Sequence, residues 1–133
     1  MSNHFNHLLA SLGLCVLVGC GPTMATISGE VKVDGKPVAN GVITFAALDG
    51  SASPASATIA EGRYEATMVA GNKRVLISAP VFVRKQREYD GPDAPMMDIT
   101  AESLPDRYHA NSELTFDAKP GANVKDWNLN RKK

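Results

Sequence analysis

From Thr26 onward the apolar residues tend to fall at every second position, while residues 8–18 are apolar except for Ser11 and show no such period. The alternation is clear in "TISGEVKV", where Ile27, Val31 and Val33 share one side and Ser28, Glu30 and Lys32 the other. Successive strand side chains point to opposite faces, so the pattern predicts a half-buried strand. Asp34-Gly35 then signals a turn, and "VITFAAL" predicts a second strand with Ile43, Phe45 and Ala47 inward. The small polar run 49–56 reads as a loop. "ATIA" and "EGRYEATM" predict a hairpin about Glu61-Gly62, with Tyr64, Ala66 and Met68 on one face. "KRVLISA" places Val75, Ile77 and Ala79 in one row. Short strands with turn signals roughly every eight to twelve residues predict an all-β antiparallel sandwich.

Between residues 81 and 111 the alternation lapses. Pro92, Pro95 and Pro105 fall inside this stretch and Pro80 precedes it, among mixed charges such as "RKQR" and Asp90, Asp93, Asp98 and Glu102. Few apolar residues are present to offset the entropy of ordering, so a long, loosely packed excursion is expected, pinned at most by Tyr89, Met96, Met97, Leu104 and Tyr108. Long loops in compact domains are usually functional or disordered. Alternation resumes in "SELTFDA", with Leu114 and Phe116 inward; "KPGAN" reads as a turn, and "VKDWNL" as a last strand with Trp127 and Leu129 on one face.

The period-free stretch Leu8–Val18 is about half the roughly 20 residues a bilayer-crossing helix needs. Its length fits the apolar region of a secretory signal instead. The preceding "MSNHFNH" departs from a usual signal, because it has no Lys or Arg. Small residues Val18 and Gly19 precede Cys20, and "LVGC" resembles a bacterial lipobox. That resemblance implies cleavage before Cys20 and lipid attachment to its thiol. Cys15 would leave with the leader, so no disulfide is expected within the mature chain. The expected organisation is a signal peptide over 1–19, a lipidated tether over 20–25, a β-domain over 26–129 and a basic tail over 130–133. Localisation follows: exported and anchored through lipid on Cys20 to a cell-envelope membrane, with Gly21 after the cysteine leaning toward the outer membrane.

Charge narrows the function. The 14 basic and 14 acidic residues cancel, which argues against a general nucleic-acid binder. No zinc spacing is present, and no cofactor or metal is expected.

"ISGEVKVDGKPVANGVITF" (residues 27–45) resembles the opening of carboxypeptidase-regulatory-like domains: a strand, a D-G-K-P turn and a V-x-F strand. "EGRYEATM" resembles the next element of that family, with Glu61 where Asp is usual. "LPDRYHANSELTFDAKPGANVKDWNL" resembles the end of small bacterial lipoproteins that carry the domain. The resemblance implies a transthyretin-like (prealbumin-like) seven-stranded sandwich, generally without catalysis.

Enzymes that share such a fold demand residues this chain lacks. Hydroxyisourate hydrolases use several histidines and a C-terminal Y-R-G-S; intradiol dioxygenases bind iron through two Tyr and two His. After cleavage His109 alone remains beside Tyr64, Tyr89 and Tyr108, and the chain ends "NLNRKK". Asp106, His109 and Ser112 are close in sequence, but a triad is recognised by geometry. The expected role is therefore a non-catalytic structural or protein-interaction module, with an envelope protein or glycan as partner. The alternative is a ligand-binding module using the 81–111 stretch. It would bind calcium through Asp90, Asp93 and Asp98, or carbohydrate through exposed aromatics.

Overall fold

The alternating rows become strands of a curled sheet. A computed structural model describes residues 21–132; Cys20 and the residues expected to form a signal peptide lie outside the described residues. In chain order the strands are β1 (Met24–Val33), β2 (Lys36–Pro37), β3 (Asn40–Ala47), β4 (Ala55–Ala60), β5 (Arg63–Val69) and β6 (Gly71–Ser78). They are followed by β7 (Pro80–Arg87), β8 (Met96–Glu102), β9 (Thr115–Ala118), β10 (Gly121–Val124) and β11 (Trp127–Leu129). A 3-10 turn at Asp106–Tyr108 is the helical element among the described residues.

The main path runs β10-β1-β5-β4-β3-β6-β9. The sheets are mostly antiparallel and curl into a half-barrel. β4 and β5 pair only beside their turn, at Ala60 and Arg63, so the two halves of the sheet splay apart there. Apolar side chains from both halves fill the concave side. Ile27, Val31, Ile43, Phe45, Ile59, Val75 and Ile77 are fully buried, and Tyr64, Ala66, Met68, Trp127 and Leu129 complete the core. Both early turns have two central residues at positive φ, Asp34-Gly35 and Glu61-Gly62. Type I′ hairpins require this twist, and glycine at the second position accepts it without strain.

The C-terminal end differs from the sequence expectation. The stretch 121–123, expected within a turn, belongs to strand β10, the expected last strand over 124–129 is divided between β10 and β11, and both pair with β1 in parallel rather than antiparallel. Between them, β1 changes partners at Gly29. A Cβ there would overlap the Lys125 carbonyl oxygen, so glycine allows the C-terminal segment to cross close by. The Glu30 N–H donates to Asp126 Oδ1 (2.9 Å), fixing the crossing. Phe116 is half-buried rather than fully inward, as is Ala47.

Candidate functional site

The 81–111 stretch is not a loose excursion. Its first part is an antiparallel hairpin, β7–β8, standing off the half-barrel as an arm paired with no other strand. "PVFV" and "MMDIT" supply β-branched and aromatic residues with high strand propensity. Every residue of β7 is exposed, and in β8 only Ile99 is partly covered. With both faces in solvent, neither strand needed a period of two to fold, which is why none shows in the sequence.

The ladder joins Val81 to Ala101 and Phe82 to Thr100, skips Val83 as a bulge, and continues with Arg84–Ile99, Lys85–Asp98, Gln86–Met97 and Arg87–Met96. Lys85 Nζ lies 3.8 Å from Asp98 Oδ1. At the tip, Glu88 N–H donates to the Pro95 carbonyl (3.1 Å) and Arg87 Nη1 to the Gly91 carbonyl (3.2 Å).

The arm is held at its root by Glu102. One carboxylate oxygen accepts from Ala79 N–H (2.9 Å), Ser103 N–H (2.9 Å) and Leu104 N–H (3.0 Å); the other accepts from Ser78 Oγ (2.5 Å). Partial burial pushes this carboxyl up, but the Ser78 hydroxyl and the Ala79 and Leu104 N–H groups outweigh it and hold it below its ordinary value. Ser103 Oγ adds a bond to the Ala79 carbonyl (2.5 Å). Nothing in the sequence flags Glu102, because most of its donors are backbone groups.

Between root and body lies a cleft of about 560 Å³, lined by Val38, Asn40, Val81 and Phe82 with Lys36 and Arg131. Arg131 is drawn toward Asp34 (3.6 Å). The exposed apolar side chains of the arm are Val81, Phe82, Val83, Tyr89, Met96 and Met97, each more than two-fifths accessible.

Other candidate residues are placed elsewhere. The Ser112 hydroxyl donates to the Val75 carbonyl, while the His109 ring meets the Leu104 carbonyl (3.0 Å) and lies 3.5 Å from Asp106. A Ser–His relay is not assembled. Asp98 is part of the β8 ladder and Asp90 and Asp93 flank the tip; among the described residues no three His, Cys, Asp or Glu side chains converge as metal ligands. Phe82 sits at the root and Tyr89 near the tip, seven residues on. At about 3.3 Å per residue they are too far apart to stack on one sugar ring. Tyr108 lies under the Arg107 guanidinium (4.7 Å) and bonds to Asn130 on the C-terminal tail. Arg107 also donates to the Asn130 and Lys132 carbonyls, so "PDRY" clamps the end of the chain. Trp127 and Leu104, as the sequence suggests, are buried. No helix among the described residues is long and apolar enough to cross a membrane.

The chain matches no family model, no curated protein and no solved structure.

Proposed function

We propose that this chain is an exported lipoprotein that acts as a non-catalytic protein-interaction module at a cell-envelope membrane. Cleavage before Cys20 and lipid on its thiol supply the anchor; the "LVGC" sequence and the short apolar leader support this. The β-domain is a carboxypeptidase-regulatory-like sandwich of the transthyretin-like kind, a reading supported by the all-β curled architecture and by the "DGKP" and "EGRY" turns. Its working part is the β7–β8 arm.

The observation that carries this reading is exposure. An isolated two-stranded hairpin is marginal in water, yet this one keeps Val81, Phe82, Val83, Met96 and Met97 in solvent. Exposed apolar side chains grouped at the root (Val81, Phe82, Val83) and towards the tip (Met96, Met97) mark contact sites. Its side chains are mainly aliphatic, which suits a protein surface better than a sugar.

Two measurements test the reading. Mass spectrometry of the envelope protein should find an acylated N-terminus at Cys20, and Cys20→Ala should move the protein to the soluble fraction. An intact Met1 on envelope-localised protein would overturn the lipoprotein assignment. Replacing residues 84–95 by a short Gly/Ser linker should leave the melting temperature nearly unchanged, since none of those residues is in the core, while abolishing capture of envelope proteins by the lipidated chain. Unfolding of that variant, or undiminished capture, would overturn the role of the arm.

A further inference from the structure

The two outer edges of the arm differ in a way that identifies a partner. The free edge of β7 carries the devices that normally discourage strand pairing. Pro80 cannot donate, Val83 bulges, and Arg84, Lys85 and Arg87 crowd it with like charge. β8 has fewer of these: from Met96 to Glu102 there is no proline, no bulge and no cation, and its two acids are engaged within the arm, Asp98 near Lys85 and Glu102 at the root. Its hydrogen-bonding direction is fixed by the bonds at either end of the ladder. The Pro95 carbonyl accepts from Glu88 and Ser103 N–H donates to Ala79, so by the two-residue alternation odd-numbered residues of β8 bond inward. The backbone groups of Met96, Asp98, Thr100 and Glu102 therefore face outward.

We propose that this edge pairs with the same edge of a second copy, so that the two arms form one four-stranded antiparallel sheet about a two-fold axis at Ile99. The inference rests on reading the arm as an interaction surface, and it names the partner. Register selects the axis. Centring the pair on Asp98 sets Asp98 against itself, and centring it on Thr100 sets Asp98 against Glu102 of the other copy, twice. Like charges directly opposite are destabilising. Centring on Ile99 matches all seven residues of β8: Met96 with Glu102, Met97 with Ala101, Asp98 with Thr100 and Ile99 with itself. No acid then opposes an acid. Met97, Ile99 and Ala101 share one face of β8 by the ladder register, and in the pair the two central strands join these residues into one apolar strip, bordered on β7 by Val81, Arg84 and Gln86. A sheet of four strands also removes the instability of an isolated hairpin. A short edge alone makes a weak, concentration-dependent dimer.

The test uses the full chain with Cys15→Ala and Cys20→Ala, in mild detergent, by sedimentation from micromolar to millimolar concentration. A reversible dimer is expected. Thr100→Asp places an acid opposite Asp98 at two symmetric positions and should weaken it about tenfold or more, whereas Thr100→Lys should tighten it. Thr100 is exposed, so neither variant should change the melting temperature of the body. Added Ile99→Cys should oxidise to a symmetric disulfide, because the residue on the axis is a close, non-hydrogen-bonded pair. Met97→Cys alone should not, but should cross-link to Ala101→Cys in a mixture. A chain that stays monomeric throughout, equal cross-linking of Met97→Cys with itself, or dimers indifferent to the sign of charge at Thr100 would overturn the proposal. If the arm is still required to capture another envelope protein while the chain is monomeric, self-pairing falls and the interaction role stands.

Discussion

The Trp127 indole N–H donates to the Tyr64 hydroxyl (3.1 Å), and that hydroxyl in turn donates to the Lys125 carbonyl (2.6 Å). One phenol thus ties the parallel C-terminal segment to β5, across the strand β1 that lies between them. The carbonyl it holds is the one that passes over Gly29. Tyr64→Phe keeps the ring packed against Phe45 (6.2 Å between centroids) but strands an indole donor and a carbonyl. Leaving a buried polar group unpaired costs about 1–3 kcal/mol, and chemical denaturation should show a loss in that range.

The same hydroxyl predicts an alkaline limit. Burial pushes the Tyr64 phenol up from 10.0 to about 12, against the opposing effect of the Trp127 bond. The folded state therefore keeps its proton where the unfolded chain has lost it. The contribution is complete below pH about 10 and declines as pH rises toward about 12. Ultraviolet titration of the folded protein should show one late phenol, and Tyr64→Phe should remove that late step.

Glu102 predicts the opposite limit for the arm. Its carboxyl is held below the ordinary 4.5 by its hydrogen bonds, so the arm root is stabilised above that pH and loosens as pH falls through the lowered value. Amide exchange at Ala79, Ser103 and Leu104, corrected for intrinsic rates, should accelerate in acid before the core amides respond. Glu102→Gln should accelerate it at neutral pH and remove most of the acid dependence. Unchanged protection in that variant would show that the root is held by something else.

Phe45 and Phe116 separate full from partial burial. Phe45 is completely inaccessible, whereas Phe116 is half-buried near the sheet edge. Phe45→Ala should cost about 3–5 kcal/mol. Phe116→Ala should cost roughly half that or less, since part of its ring is already in water. Equal losses would mean that β9 packs more deeply than described.

The core was legible because each of its strands has a wet side. Ile43, Phe45, Val75 and Ile77 alternate with exposed or half-covered neighbours, and "DG" and "EG" mark the turns whose positive φ they satisfy. The arm was illegible for the converse reason: β7 and β8 have no dry side, so burial imposed no alternation on Val81, Phe82 and Val83. The β10 strand was hidden in the same way, with only Asn123 partly covered. Parallel pairing of β10 and β11 with β1 depends on residues nearly a hundred positions apart, and side-chain periodicity carries no record of which strand lies next to which.

Lys73 is the residue where alternation and chemistry disagree. It occupies the inward row of β6 with Val75 and Ile77, and only 2% of it is accessible. Its register partners are Ala47 and Phe116, and among the described residues it forms no ion pair. Its aliphatic stem fills the row as a hydrophobe does, while its charge acts on the Asp49 carboxyl, which the Ser51 hydrogen bonds and, to a lesser degree, this charge hold below the ordinary value. Lys73→Met retains the stem and removes only a charge that faces exposed Asp49, so stability should change by less than about 1 kcal/mol. Lys73→Asp keeps a charge but loses the stem, and should destabilise the domain by several times that amount. A clear loss of stability in the methionine variant would show that the charge, and not the stem, is what holds this residue in the row.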